Sequence, residues 1–364
     1  MASSGFIPHA DAMVSLKPLF AACLCFGSIV VAAQTPPVAA PPPSIVRAGF
    51  IYPDTAKPTP ECHATTIVDL PDGTQMASWF GGKHEKNPDV VIWTAHYQQR
   101  VWSEPVQVAN GIQYTAPGSV VKRYPCWNPV LFQPKNGPLL LFYKVGASPD
   151  TWWGMLITSS DNGKTWSEPR RLPEGILGPI KNKPVLLPNG DLLCPTSSEH
   201  DGWRVYFELT PDLGRTWFRT GSLNDGMALG AIQPSILMEP EGRLVALGRS
   251  RQGNLWEASS TNQGRSWSAI ALNGLPNPNS GTDAVTLNDG RHLLVFNDSS
   301  TNRTPLTVAM KAPATDWKRV LTLEDQPGEY SYPAIIQAAD GMVHITYTWK
   351  RLLVKHVVVD PAKL

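Results

Sequence analysis

A short hairpin pattern recurs six times along this chain: an apolar strand, a tight turn ending in glycine, and a second apolar strand. The turns end at Gly73, Gly137, Gly190, Gly242, Gly290 and Gly341. The copies are TIVDLPDGTQMASW, PVLFQPKNGPLLLFY, PVLLPNGDLLCP, PSILMEPEGRLVAL, AVTLNDGRHLLVF and AIIQAADGMVHITY, each with turn chemistry between two β-rich runs. Successive glycines stand 64, 53, 52, 48 and 51 residues apart. A period near fifty leaves room for about four strands per repeat, the pattern of β-propeller blades. The chain is therefore expected to be all-β, a six-bladed β-propeller. The long first interval could hide a seventh blade in residues 74–125, but a loop insertion carrying Glu85 accounts for it better, since Trp102 already ends a repeat there.

The repeats occupy residues 47–364 and leave no room for a second large domain. Thirteen Trp and 35 Pro with 17% charged residues suit strands and loops with aromatic plugs between blades. A formal charge of +1 gives no electrostatic reason to expect nucleic acid or an anionic membrane as partner, so an acidic ligand must be gripped locally. Residues 1–33 read as an export signal: Lys17, then PLFAACLCFGSIVVA, with Val31 and Ala33 placed for cleavage before Gln34. The run is too short and badly flanked to span a membrane, so a periplasmic or secreted location is expected, with either Met1 or Met13 as the start. Residues 34–46 read as a Pro-rich tether. Cys62, Cys126 and Cys194 then remain, an odd number with no metal-site spacing. Cys62 and Cys126 occupy similar places in blades 1 and 2, which leaves an inter-blade disulfide open, with buried free cysteine the simpler reading.

A second motif follows the hairpins. SSDNGKTW ends at Trp166, TPDLGRTW at Trp217 and STNQGRSW at Trp267, with worn copies ending at Trp102 and Trp317. It resembles the Asp-box, S-x-D-x-G-x-T-W, of the bacterial neuraminidase repeat found in sialidases. In such a turn an Asp or Asn side chain bonds turn amides, glycine takes a positive φ, and the tryptophan packs between strands. These boxes report fold and not chemistry. From about Gly49 the chain resembles bacterial predicted neuraminidases of this repeat type, which implies a glycan or oligosaccharide substrate, no metal or organic cofactor, and a monomer.

In a propeller the leading residues of the first strands surround one channel mouth. Here they are Glu61-Cys62-His63, Cys126-Trp127-Asn128, Lys181-Asn182-Lys183, Ile232-Gln233, Thr282-Asp283 and Tyr330-Ser331-Tyr332. The resemblance implies an arginine triad that clamps a sialic acid carboxylate. Arg249 matches its second member and Arg303 its third. It also implies a nucleophilic tyrosine in a G-x-Y-S segment, and GEYSYPAIIQAADG offers two. Motif wording selects Tyr330, the favoured candidate; counting nine back from the hairpin glycine selects Tyr332.

The departures matter as much. Where the family has its first triad arginine, the count lands on His63, and where it has the glutamate that activates the tyrosine, Ile236 follows Gln233 by three. The loop WFGGKHEKNPDV offers His84, Glu85 and Asp89 as acid/base, with Glu85 the best positional match. Asn128, Lys181, Lys183, Gln233 and Asp283 are expected to bind substrate, and Trp127, Lys144, Glu199 and His200 to line the sugar subsite. The leading expectation is a sialidase-like, exo-acting glycoside hydrolase for a terminal acidic sugar. A uronate-directed lyase or rhamnosidase using His63 as base, a cation on the carboxylate and Tyr330 as acid is the alternative. A glycan-binding propeller without catalysis is the third.

Overall fold

The computed structural model of the protein describes residues 42–113, 121–312 and 315–364. The expected export signal and the tether up to residue 41 lie outside the described residues. Among these, no helix is long and apolar enough to cross a membrane.

Six antiparallel sheets follow one another along the chain, each a blade with its first strand innermost. The innermost strands are Glu61–Asp69, Cys126–Phe132, Val185–Leu186, Ala231–Met238, Asp283–Thr286 and Tyr330–Gln337. Every turn glycine read from the sequence closes the hairpin of its blade at positive φ, between 76° and 132°. The last blade is completed from the other end of the chain: Ile45–Phe50 pairs antiparallel with Leu353–Val359 as its outermost strand. That strand starts two residues inside the stretch read as tether, because IVRAGF is a strand sequence with an open edge to pair with.

The long first interval has a different cause from the one expected. The Glu85 loop, Lys83–Val90, is no longer than its counterpart between Asn297 and Leu306 in blade 5. The extra chain follows Trp102, where Val106–Ala109 folds back onto Val91–Gln98 and a ribbon pairs Ile112–Gln113 with Lys122–Arg123. Among the described residues there is no seventh blade.

Apolar clusters fill the wedges between neighbouring blades: Val68, Met76 and Phe80 of blade 1 meet Leu131, Leu141 and Tyr143 of blade 2. The Asp-boxes fasten these wedges from outside. In the first, Ser159 accepts from Gly163 N at 2.8 Å and Asp161 from Thr165 N at 2.9 Å. The box tryptophans reach back to the preceding blade: Trp267 stacks on Phe207 at 3.9 Å and Trp217 meets Phe142 edge-on. The worn copy does the same, since Trp102 donates to His356 Nδ1 of blade 6 at 3.2 Å. Cys62, Cys126 and Cys194 are buried free thiols, so no inter-blade disulfide forms.

Candidate active site

Four inner strands carry a β-bulge at the same place, and this aims side chains into the channel mouth. Ladder register breaks between His63 and Thr66, at the Asn128 level opposite Phe142 and Lys144, between Ile232 and Ser235, and between Ser331 and Ala334. At each break one non-glycine residue takes positive φ: Ala64 at 55°, Asn128 at 28°, Gln233 at 56° and Tyr332 at 51°. Each stands nine residues before its hairpin glycine (64 and 73, 128 and 137, 233 and 242, 332 and 341). Left-handed backbone at residues other than glycine is costly and concentrates where a side chain must be re-aimed.

The cleft they open onto has a volume of about 370 Å³ and includes His63, Asn128, Gln233 and Tyr332. The loops joining second to third strands supply the rest: Glu85 from blade 1, Trp152 from blade 2, Glu199 and Trp203 from blade 3, Arg303 from blade 5 and Arg351 from blade 6. Arg249 comes from the end of the second strand of blade 4.

Three guanidinium groups thus meet in one cleft. Arg249 and Arg303 lie 5.5 and 5.9 Å from the Tyr332 ring centroid. Trp203 lies between Arg249 and Arg251, at 5.0 and 4.3 Å. Arg351 sits at positive φ in the tight Trp349–Leu353 turn and donates to Glu85 at 2.5 Å and to Glu329 at 3.0 Å. Glu329 also accepts from Arg303 at 2.7 Å and from Ser331. Burial pushes the Glu329 carboxyl up, but Arg303 and Arg351 outweigh it and hold the group below the usual carboxylate range.

His63 packs on Tyr332 with ring centroids 4.2 Å apart. Burial drives the imidazole pKa well below its ordinary value, and Arg351, Arg303, Arg249 and Lys181 add to it, so the ring is neutral at physiological pH. Glu199 behaves oppositely: burial raises its carboxyl despite Arg249 and the Trp203 indole. Among the described residues, His63 Nδ1, Gln233 Oε1, Arg249 Nε and Asn279 Oδ1 are buried without a protein hydrogen-bond partner. All four residues line the cleft, where a bound ligand or water can meet these groups. Among the described residues no group of three or more His, Cys, Asp or Glu could hold a metal ion.

Several expectations need correction. Tyr330 does not face the cleft; it is 1% exposed in the apolar cluster of blades 5 and 6, beside Tyr347 and Val295. The alternation of a strand sends residues 330 and 332 to one face, but the bulge breaks that alternation. Lys181, Lys183 and Asp283 are not in the cleft wall but are consumed inside the channel. Lys181 donates to Thr282 O and Pro333 O, and burial pulls it down to about 7. Lys183 pairs with Asp283 at 2.9 Å, and Asp283 accepts from Ser235 and from Ile335 N. Lys144 is buried against Pro179 O. Glu85 reaches the cleft but is tied to Arg351. Of the other loop candidates, His84 is exposed and Asp89 accepts from Lys83 N. The third guanidinium was missed because it sits on a turn, not a leading strand residue. The signal was the row of second-to-third strand loops that had already yielded Glu85, Glu199 and Arg303.

The fold and the cleft together define a six-bladed propeller with an arginine-lined mouth around a tyrosine. The chain belongs to the BNR repeat-like domain family, whose pattern matches residues 73–345. No curated protein matches it in sequence. Solved structures resemble it throughout the propeller. A protein of unknown function from Dyadobacter fermentans is 18% identical, with 87% of this chain and 99% of that one covered and a TM-score of 0.70. The NanB sialidase of Streptococcus pneumoniae is 13% identical, with 84% and 69% covered and a TM-score of 0.68. The leech intramolecular trans-sialidase, seen with 2,7-anhydro-Neu5Ac, is 15% identical with the same coverage and TM-score. At these identities the likeness speaks for the fold.

Proposed function

We infer that the protein is a sialidase-like, exo-acting glycoside hydrolase that removes a terminal sugar bearing a carboxylate. The observation that carries this reading is the convergence of Arg249, Arg303 and Arg351 around Tyr332. Guanidinium forks match carboxylate geometry, and three of them in one cleft select an anionic sugar. With that carboxylate held, the Tyr332 hydroxyl attacks the anomeric carbon while neutral His63 takes its proton, replacing the glutamate the sequence lacks. Glu199, whose carboxyl burial shifts upward, gives its proton to the leaving oxygen. Water then releases the sugar from Tyr332 by the reverse proton transfers.

A second reading rests on the same imidazole. A neutral His63 with an unpaired Nδ1 beside a clamped carboxylate is also equipped to remove the proton next to a uronate carboxylate, as in a lyase. Purified protein assayed on sialosides and rhamnose-glucuronate glycans separates the two. Release of a free acidic sugar that disappears in Tyr332→Phe supports the hydrolase. Ultraviolet absorbance of an unsaturated uronate that disappears in His63→Ala overturns it in favour of the lyase. Binding without turnover, unchanged by either substitution, overturns both in favour of a glycan-binding propeller.

A further inference from the structure

A second and larger cavity, of about 590 Å³, lies between blades 2 and 3 and shares a wall with the central cleft. Trp152 lines both. So does the loop from Ser198 to Arg204: Glu199 belongs to the cleft, while its neighbours Ser198 and His200 belong to the groove. Aromatic rings and guanidinium groups furnish the groove. Arg171 lies over Trp153 and Arg219 over Tyr206, both at 4.9 Å. Arg204 stands at the same wall. Arg171 and Arg204 pair with carboxylates close in sequence whose own side chains are exposed, Glu174 at 3.5 Å and Asp201 at 3.1 Å. Such pairs are worth little and open readily to an incoming anion.

We propose that this groove binds the leaving-group side of an acidic oligosaccharide, the sugar units beyond the linkage cleaved in the central cleft. The inference rests on the hydrolase reading and extends it from one terminal sugar to a chain. The placement of Glu199 is what links them. A group that protonates a glycosidic oxygen must stand between the sugar being removed and the sugar that leaves, and Glu199 stands on the wall between the cleft and the groove. Aromatic faces suit the apolar side of a sugar ring, and Arg171, Arg204 and Arg219 favour rings that carry carboxylate or sulfate groups.

The test is binding, measured on a size-graded array of sialylated, uronate-containing and sulfated oligosaccharides, with the Tyr332→Phe protein so that nothing is consumed. The affinity is expected to rise about tenfold or more from the terminal monosaccharide to its oligosaccharides. Arg171→Ala and Trp153→Ala should each abolish most of that gain. Arg171 is exposed at the rim, so its variant keeps the test sound if Trp153→Ala folds poorly. An affinity that does not grow with chain length, or a gain that survives both substitutions, overturns the proposal. Length-dependent binding lost in both variants, together with no cleavage by the unmodified protein, upholds the groove and overturns the hydrolase. Failure to bind any glycan overturns both.

Discussion

Tyr332 and Tyr330 are two residues apart, both buried and opposite in surroundings, so they make a sharp test of the cleft. Tyr332→Phe should lower turnover at least about 10³-fold with little change in KM, because it deletes the nucleophile and leaves the arginine clamp. Tyr330→Phe should stay near the unmodified rate, since that hydroxyl faces apolar neighbours, Glu324 and Asp325 rather than the substrate. Steady-state kinetics on one substrate decides between them, and the reverse ranking would relocate the site. The proton donor is tested separately. Glu199 works only while protonated, so activity should fall as pH rises through its raised pKa. His63 works only while neutral, which its lowered pKa secures down into the acid range. Glu199→Gln should cost about 10²-fold or more on sugar leaving groups, much less on nitrophenyl ones that depart without help, and should remove the alkaline limb. Part of this arrangement is legible as spacing: Asn128, Gln233 and Tyr332 each stand nine residues before a hairpin glycine and line one cleft. Motif wording picked Tyr330 because a bulge re-aims side chains without leaving any trace in residue type.

At the scale of the element, the repeated hairpin and the Asp-box were both legible because each is a local turn whose glycine, Asn or Asp and tryptophan stand at fixed offsets. What each box does was not legible, since the partner lies in the preceding blade, 60 residues upstream for Trp267 and 75 for Trp217. Gly264 packs under Leu193, and Trp267 both stacks on Phe207 and donates to Gly264 O at 3.0 Å. The box of blade 4 is thus a clasp on blade 3. Trp267→Ala should destabilise the protein by about 2 kcal/mol, less than a fully buried tryptophan because the ring is partly exposed. Denaturant unfolding should show a lower midpoint at unchanged slope, while turnover on a minimal substrate stays put, because the clasp is remote from the cleft. A matching loss of activity at full folding would mean that blades 3 and 4 are coupled to the site in a way the packing does not suggest.

For the molecule as a whole, the decisive event is closing the ring, and the sequence did not announce it. The strand Ile45–Phe50 is short and was hidden behind a Pro-rich stretch, and nothing local says that its partner is Leu353–Val359. The seam where blade 6 meets blade 1 carries a buried histidine pair: His344 Nδ1 and His356 Nε2 are 3.0 Å apart, and Trp102 donates to His356 Nδ1. The indole proton requires an unprotonated Nδ1, so His356 carries its proton on Nε2 and gives it to His344, whose own proton then sits on Nε2. Neither ring can take a second proton without breaking this chain. Burial, His344 and Arg47 pull His356 down to about 3, and burial lowers His344 as well. A depressed histidine pKa means that the unfolded chain binds the proton first. The stability from this seam is therefore complete above about pH 6.5 and is lost progressively as pH falls towards 3, by about 3 kcal/mol at pH 4. Glu208 runs the other way, because burial raises its carboxyl to about 7 and protonation in that range favours the fold. The difference between the unmodified protein and His356→Gln cancels that contribution. Unfolding midpoints from pH 7 to pH 4 should fall more steeply for the unmodified protein than for the variant, so that the two converge in acid. Parallel curves would show that the seam histidines do not govern acid stability and that the ring opens elsewhere first.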